Sequence, residues 1–132
     1  MQDPILDLTW EKKCAFEPLH GEGLQIIHVR DRDHWCLLSN FGNVPIIFES
    51  LFLDVSPHVE FCLRKLLRFY PGPVRVQRPQ KQIGGVDCGL FAIAFAFHLA
   101  LGLPLGPFNQ SLMRKHLLHC FRLERVLPFP LL

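Results

Sequence analysis

The sequence predicts an α+β fold, with strands in the first part of the chain and helices packed around them. Short β-branched and apolar runs between residues 24 and 48 are typical of strands. Two helical patterns follow, an apolar stripe after Ser56 and a run after Cys88 that is apolar on every side. With 132 residues, the chain is long enough for one such domain and too short for two.

Four strands are expected. They are 24–29, 35–39, 44–48 and 74–77. A charged turn at 30–33 and turn residues at 40–43 separate the first three strands, so these should pair as successive hairpins. Because Pro45 lacks an N–H, the third strand should either lie at an edge of the sheet or begin after this residue.

The first predicted helix begins at Ser56-Pro57, where a capping hydroxyl is followed by a proline at the first helical position. Its apolar residues recur at i, i+3, i+4, i+7, i+8 and i+11, which places them on one face. They are Val59, Cys62, Leu63, Leu66, Leu67 and Tyr70. Pro71-Gly72-Pro73 should end the helix.

The second helix should begin at Cys88 and be buried on every side, because residues 90–97 are all apolar. Gly102 is placed to cap its C-terminus. A last helix is predicted over 110–121, with an apolar stripe along one face. That stripe consists of Met113, Leu117, Cys120 and Phe121.

Composition argues against several classes of protein. Hydrophobic residues make up 49% of the chain and charged residues 20%, which indicates a folded core. The formal net charge of +2 does not favour nucleic acid or an anionic membrane surface as a partner. The most apolar stretch, 89–101, is too short to span a bilayer, and the first residues lack the pattern of a signal peptide. Residues 1–23 form a poorly patterned lead, and 24–132 form the domain itself.

The chain has five cysteines, an odd number, and none of them form a CxxC pair. We therefore expect neither a disulfide framework nor a structural zinc site. This cysteine usage favours a reducing compartment. Four of them should pack in the core: Cys14, Cys36, Cys62 and Cys120. Cys88 differs, because it stands at the start of a buried helix between Asp87, a possible cap, and Gly89. The helix dipole favours a thiolate there, and free N–H groups of the first turn could stabilise an oxyanion.

Three further side chains complete a catalytic constellation around Cys88. His34, at the head of the second strand, could act as the base for the thiol. Glu49 ends the returning strand of the same hairpin, where it could orient the imidazole. Gln82 lies in the loop before Cys88 and carries an amide that could donate to an oxyanion.

The remaining polar candidates are expected to be structural. Asp54, and after it Asn43, would orient the imidazole only if the hairpin register put Glu49 elsewhere. His98 should be a hydrogen-bonded core residue. Two groups on and beyond the last helix are expected to be, respectively, a solvated face rather than a nucleic-acid site and a partly exposed helix face rather than a metal site. They are the basic residues Arg114, Lys115, Arg122 and Arg125, and the trio His116, His119 and Cys120.

Three segments together resemble the ubiquitin-like-protein-specific proteases, the cysteine peptidases that deconjugate SUMO and NEDD8 and are related to adenovirus protease and to bacterial effectors. The segments are His34-Trp35-Cys36-Leu37, Phe48-Glu49-Ser50-Leu51 and Gln82-Ile83-Gly84-Gly85-Val86-Asp87-Cys88-Gly89-Leu90-Phe91. The resemblance runs from about Gln25 to Cys120. The C-terminal half is also similar to protease-like domains carried by mobile elements or derived from them.

The resemblance implies a papain-like core, in which a central mixed sheet packs on a buried helix that carries the nucleophile at its N-terminus. Cys88 would be the nucleophile and His34 the base. Gln82 would be the oxyanion donor, and Trp35 would line a narrow channel for the Gly-Gly tail of a substrate. The SUMO proteases have Asp at the position of Glu49, whereas the adenoviral and bacterial relatives use Glu.

The resemblance further implies hydrolysis of the C-terminal linkage of a ubiquitin-like protein, by a nuclear or cytoplasmic monomer that needs no cofactor. The lead before the first strand is shorter than in the family, so the N-terminal helices that help to bind the partner are expected to be missing. The alternative is a truncated or inactive protease-like domain that acts as a protein-binding module.

Overall fold

A computed structural model describes residues 1–4, 16–29, 32–70 and 72–132. Within these residues the chain has an α+β fold, with a four-stranded mixed sheet and three α-helices. The strands are β1 (Leu24–Val29), β2 (His34–Ser39), β3 (Ile46–Phe48) and β4 (Arg75–Gln77). The helices are α1 (Pro57–Leu66), α2 (Cys88–Leu101) and α3 (Gln110–Leu123). No helix within the described residues is long and apolar enough to cross a membrane.

The strands lie in the order β1-β2-β3-β4, with the first two pairings antiparallel and the pairing of β3 with β4 parallel. β3 begins at Ile46, directly after Pro45, and it lies inside the sheet. The late start that the proline predicted is therefore confirmed, since its missing N–H falls outside the ladder.

The sheet separates two apolar cores, with α1 on one face and α2 and α3 on the other. Along β2, Cys36 and Leu38 point into the α1 core while Leu37 points into the α2 core, as the two-residue period of a strand requires. The side of α1 is filled mainly by Ile27, Val29, Ile47, Val59, Cys62, Leu63 and Leu66. The side of α2 is filled mainly by Phe48, Phe91, Phe95, Phe108, Met113 and Phe129.

Helix α1 begins as its sequence predicts. The hydroxyl of Ser56 accepts a hydrogen bond from the N–H of Val59 at 3.2 Å, and Pro57 occupies the first helical position. The helix ends at Leu66, one turn earlier than the apolar stripe suggested. Leu67 and Tyr70 lie beyond its last turn but still pack against the same core.

Helix α2 starts at Cys88 and ends at Gly102, which adopts the left-handed conformation with φ of +67°. The prediction of burial on every side is wrong for the last turn, because the helix end projects beyond the sheet and leaves Leu101 56% exposed. His98 is a satisfied core residue. Its Nδ1 donates to the carbonyl of Pro104 at 2.7 Å, and its Nε2 accepts from the N–H of Phe129 at 2.8 Å.

Helix α3 buries Met113 and Cys120, as predicted, but the side chain of Phe121 is 70% exposed. The prediction that Phe121 belongs to the buried face is wrong. This residue lies about 80° around the helix axis from Met113. Only Met113 and Cys120 of α3 are buried, so the packed surface of the helix is narrow. Phe121, at the side of the apolar stripe, therefore stays exposed to solvent.

The described part of the lead contacts the sheet and α1. The side chain of Gln25 accepts from the N–H of Gln2 at 2.9 Å and donates to its carbonyl at 2.8 Å. The N–H of Leu19 donates to the carbonyl of Leu66 at 2.8 Å, and Phe16 is buried in the α1 core. Cys14 and the charged turn residues Arg30 and Asp31 lie outside the described residues.

Candidate active site

His34 and Glu49 form a buried ion pair where β2 begins and β3 ends, at one end of the two inner strands of the sheet. Nε2 of His34 lies 2.6 Å from Oε1 of Glu49, and the two residues are 1% and 5% exposed. Leu37 of β2 pairs with Phe48 of β3, and continuing this register puts Glu49 opposite Cys36. His34 is then a diagonal neighbour on the same face, a spacing that long side chains bridge.

The carboxylate of Glu49 accepts one further hydrogen bond, and the backbone of Glu49 is bonded to β4. The N–H of Leu51 donates to the same Oε1 at 2.8 Å, and the backbone N–H of Glu49 donates to the carbonyl of Gln77 in β4 at 3.0 Å. Since Oε1 already receives two donors, the carboxylate has a fixed orientation toward the imidazole.

The other ring nitrogen of His34 is left to face Cys88. Nδ1 is buried and closes no hydrogen bond of its own, while the Cys88 thiol lies near enough to interact with the ring. Burial alone would lower the pKa of His34, but Cys88 and Glu49 stabilise the imidazolium and raise this pKa from 6.5 to about 9. The contact between Nδ1 and the thiol is thus looser than a hydrogen bond, although it is close enough to shift both pKa values.

Cys88 occupies the first position of α2, where the positive end of the helix dipole favours an anion. Burial alone would raise the pKa of its thiol. The ring of His34 and the backbone N–H groups of Trp35 and Gly89 act in the opposite direction, and the pKa of Cys88 falls below its ordinary value of 9.0. The two shifts together favour a thiolate–imidazolium pair over a neutral thiol and imidazole.

Gln82 is buried, and its amide is held in one orientation. Its Oε1 accepts from the hydroxyl of Ser50 at 2.5 Å, and its Nε2 donates to the carbonyl of Gly84 at 3.0 Å. Because the carbonyl of Gly84 can only accept, Nε2 must be the atom that faces it. One amide hydrogen is used in this way, and Nε2 carries a second.

Trp35 lies beside Cys88. An open cleft of about 380 Å³ is lined by both Trp35 and Cys88, and a Cβ added to Gly89 would stand 3.7 Å from the indole ring. The rest of the cleft wall includes Asp33, Gly85, Val86, Leu90, Ile93, Arg114 and Leu117. The structure therefore brings Trp35 to the side of Cys88 from which a substrate can approach.

Two residues of the site, Ser50 and His28, have no distinctive signal in the sequence. Ser50 holds the oxygen of Gln82, although it is one of several polar residues after β3. His28 stacks on Trp35 with ring centroids 4.6 Å apart, and the register of β1 and β2 pairs the two residues directly. The position of His28 beside Trp35 follows from the pairing of β1 with β2. The residue type of His28 alone does not indicate it.

Asp87 does not cap α2 with its side chain, contrary to expectation. Its carboxylate accepts from Nε2 of Gln110 at 3.0 Å and from Nη2 of Arg114 at 2.5 Å. The hydrogen bond from Gln110, followed by the bond and charge of Arg114, outweighs burial and lowers the pKa of Asp87. These partners on α3 draw the carboxylate away from the free N–H groups of α2.

Neither fallback candidate has its side chain bonded to the imidazole among the contacts of the described residues. Asp54 has a 99% exposed side chain that lies 3.6 Å from Arg78, and Asn43 is an exposed turn residue with φ of +55°. Cys36 is buried beside the pair, and burial raises the pKa of its thiol, so it stays protonated.

The trio on α3 is arranged around the C-terminal segment. Nε2 of His116 lies 3.0 Å from the carbonyl of Leu127 and 3.4 Å from the sulfur of Cys120. Within the part of the chain that the structure describes, no group of three or more His, Cys, Asp and Glu residues is placed to hold a metal ion.

Relatives add nothing to this geometry. Comparison of the chain with models of protein families gave no match, and comparison with curated proteins gave none either. The chemistry assigned to the site therefore depends on the contacts among Cys88, His34 and Glu49 themselves.

Proposed function

We propose that this chain is a cysteine peptidase or isopeptidase that uses a Cys88–His34–Glu49 triad. The observation that carries the proposal is the buried imidazole of His34, with the Glu49 carboxylate 2.6 Å from one nitrogen and the Cys88 thiol beside the ring. A nucleophile, a base and an orienting acid in this arrangement are what covalent acyl transfer requires.

In the proposed reaction, the Cys88 thiolate attacks the carbonyl carbon of the scissile bond and forms a C–S bond. The oxyanion that results accepts hydrogen bonds from the second Nε2 hydrogen of Gln82 and from a backbone N–H at the start of α2. His34 gives its proton to the leaving amine as the C–N bond breaks. Water, deprotonated by His34, then hydrolyses the thioester and releases the acid together with the thiol.

The substrate class comes from the resemblance to the ubiquitin-like-protein-specific proteases. A papain-like core and a substrate with a Gly-Gly tail belong to this proposal, in which Trp35 lines the path of the tail to Cys88. Because the nucleophile must stay reduced, we place the reaction in the nucleus or cytoplasm, carried out by a monomer without a cofactor.

The proposal is tested by incubating the folded chain with ubiquitin, SUMO and NEDD8 probes that carry a thiol-reactive C-terminus. We expect covalent capture of at least one probe by the wild-type chain and by Cys120→Ala, and none by Cys88→Ala. Failure of all three probes to label a chain that shows a cooperative unfolding transition would contradict the proposal. That result would favour a protein-binding module, whose non-covalent complex with one of the three proteins is measurable by calorimetry.

A further inference from the structure

The segment between β4 and α2, residues 78–87, is here called the Gln82 loop. It has little apolar packing of its own, since the side chains of Ile83 and Val86 are each 81% exposed. At Gly84 the backbone turns with φ of +73°, a conformation that favours glycine. On one side the loop is anchored at Gln82, whose N–H donates to the carbonyl of Ser50 at 2.8 Å. What holds the other side determines how well Gln82 is positioned.

That other side is held by Gln110, the first residue of α3. Its Oε1 accepts from the N–H of Ile83 at 2.7 Å, and its Nε2 donates to the carbonyl of Ile83 at 2.8 Å. The same Nε2 donates to Asp87 at 3.0 Å. An N–H only donates and a carbonyl or carboxylate only accepts, so the amide fits in this orientation alone and both its hydrogens are used.

A second glutamine makes the same pair of side chain–backbone hydrogen bonds, but here the side chain belongs to the Gln82 loop and the backbone to the segment before α3. Gln80, within the Gln82 loop, accepts from the N–H of Phe108 at 2.6 Å and donates to the carbonyl of Phe108 at 3.0 Å. The loop and the chain before α3 are therefore joined by two paired side chain–backbone contacts. Arg114 adds an ion pair to Asp87.

We propose that Gln110 is a positioning residue, which holds the backbone of Ile83 so that the amide of the adjacent Gln82 keeps its place for the oxyanion. The inference rests on the proposed function, because it assigns a role within the same site. It concerns a residue on another helix, 27 positions from Ile83 along the chain, that does not touch the reacting atoms.

The test compares two reactions of Cys88. Hydrolysis passes through an oxyanion, whereas alkylation by iodoacetamide needs the thiolate and forms no oxyanion. We expect Gln110→Met to lower kcat of hydrolysis about tenfold with little change in KM, and to leave the rate and pH profile of alkylation unchanged. Gln82→Ala should show the same separation with a larger loss, on the order of a hundredfold.

The double variant decides whether Gln110 acts through Gln82. If it does, Gln82→Ala with Gln110→Met hydrolyses no more slowly than Gln82→Ala alone. Additive losses, a loss of alkylation equal to the loss of hydrolysis, or unchanged kcat in Gln110→Met would each overturn the inference. Lys115→Met is the control on the same helix, because Lys115 is exposed on α3 and its side chain makes no hydrogen bond or ion pair with the residues that the structure describes. It should behave as wild type in both reactions.

Hydrogen exchange separates this inference from the proposed function. The N–H of Ile83 should exchange at least tenfold faster in Gln110→Met than in the wild-type chain, whether or not any substrate is cleaved. Faster exchange in a chain that hydrolyses nothing would contradict the proposed function and retain the structural role of Gln110. Unchanged exchange would contradict that role directly.

Discussion

At the scale of single residues, the charge state of His34 is decided by two anionic partners that act against its burial. A buried imidazole ordinarily loses its proton, yet Cys88 and Glu49 raise its pKa to about 9. The thiolate–imidazolium pair therefore persists from the lowered pKa of Cys88 up to the raised pKa of His34. Above the latter, His34 loses the proton that the leaving amine requires.

Glu49→Gln should lower the pKa of His34 from about 9 toward 6.5, because the charge that stabilises the imidazolium is removed. The amide oxygen still accepts from His34 and from Leu51, so the ring keeps its place. Titration of the His34 ring by NMR measures the shift. The alkaline limit of hydrolysis should move to lower pH by the same amount.

Asp54→Asn is the matched control for this substitution, since it also removes one carboxylate but from a fully exposed side chain. The pKa of His34 should not change in this variant. Equal shifts in both variants, or no shift in Glu49→Gln, would show that Glu49 does not set the charge of the imidazole.

At the scale of elements, sequence patterns located all four strands and three helices to within a few residues. The start of α1 was predictable because Ser56-Pro57 is a strong local signal, and β3 could be placed by Pro45. Phe121 was assigned wrongly because periodicity gives the direction of a side chain but not the width of the surface that covers it. Only the packing of α3 on α2 determines that width.

Phe95→Ala and Phe121→Ala test this difference between two phenylalanines. Phe95 is 1% exposed at the centre of the α2 core, and its loss should lower the free energy of unfolding by about 3–5 kcal/mol. Phe121 is 70% exposed, and its loss should change the same quantity by no more than about 0.5 kcal/mol. Urea denaturation measures both values. A large loss in Phe121→Ala would mean that this face of α3 is covered in solution.

At the scale of the whole molecule, one sheet holds the functional side chains between two cores. β2 supplies His34 and Trp35, the end of β3 supplies Glu49, and α2 presents Cys88 from the opposite face. Chain order and residue type were enough to nominate these residues, because hairpin pairing and helix starts are local features. The sheet order, with β4 parallel to β3, is not a local feature.

The support around the site could not be predicted for the same reason. Gln110 meets Ile83 across 27 residues, and Ser50 meets Gln82 across 32. A glutamine or serine at such a position has no sequence signature, since its role depends on which loop the fold brings to it. The candidate catalytic residues could therefore be predicted from the sequence, whereas Gln110 and Ser50, which hold the Gln82 loop, could not.

The most direct test of the central claim is the pH dependence of alkylation at each described cysteine, followed by mass spectrometry on the folded chain. Cys88 is itself buried but lines the open cleft, and it should react selectively at pH values below 9.0. Cys36, Cys62 and Cys120 are buried without lining that cleft and should stay unmodified. In His34→Ala the reaction of Cys88 should require a higher pH, because the thiolate loses its main stabilising partner. If Cys88 reacts only near pH 9, or reacts alike with and without His34, the triad proposed here is contradicted.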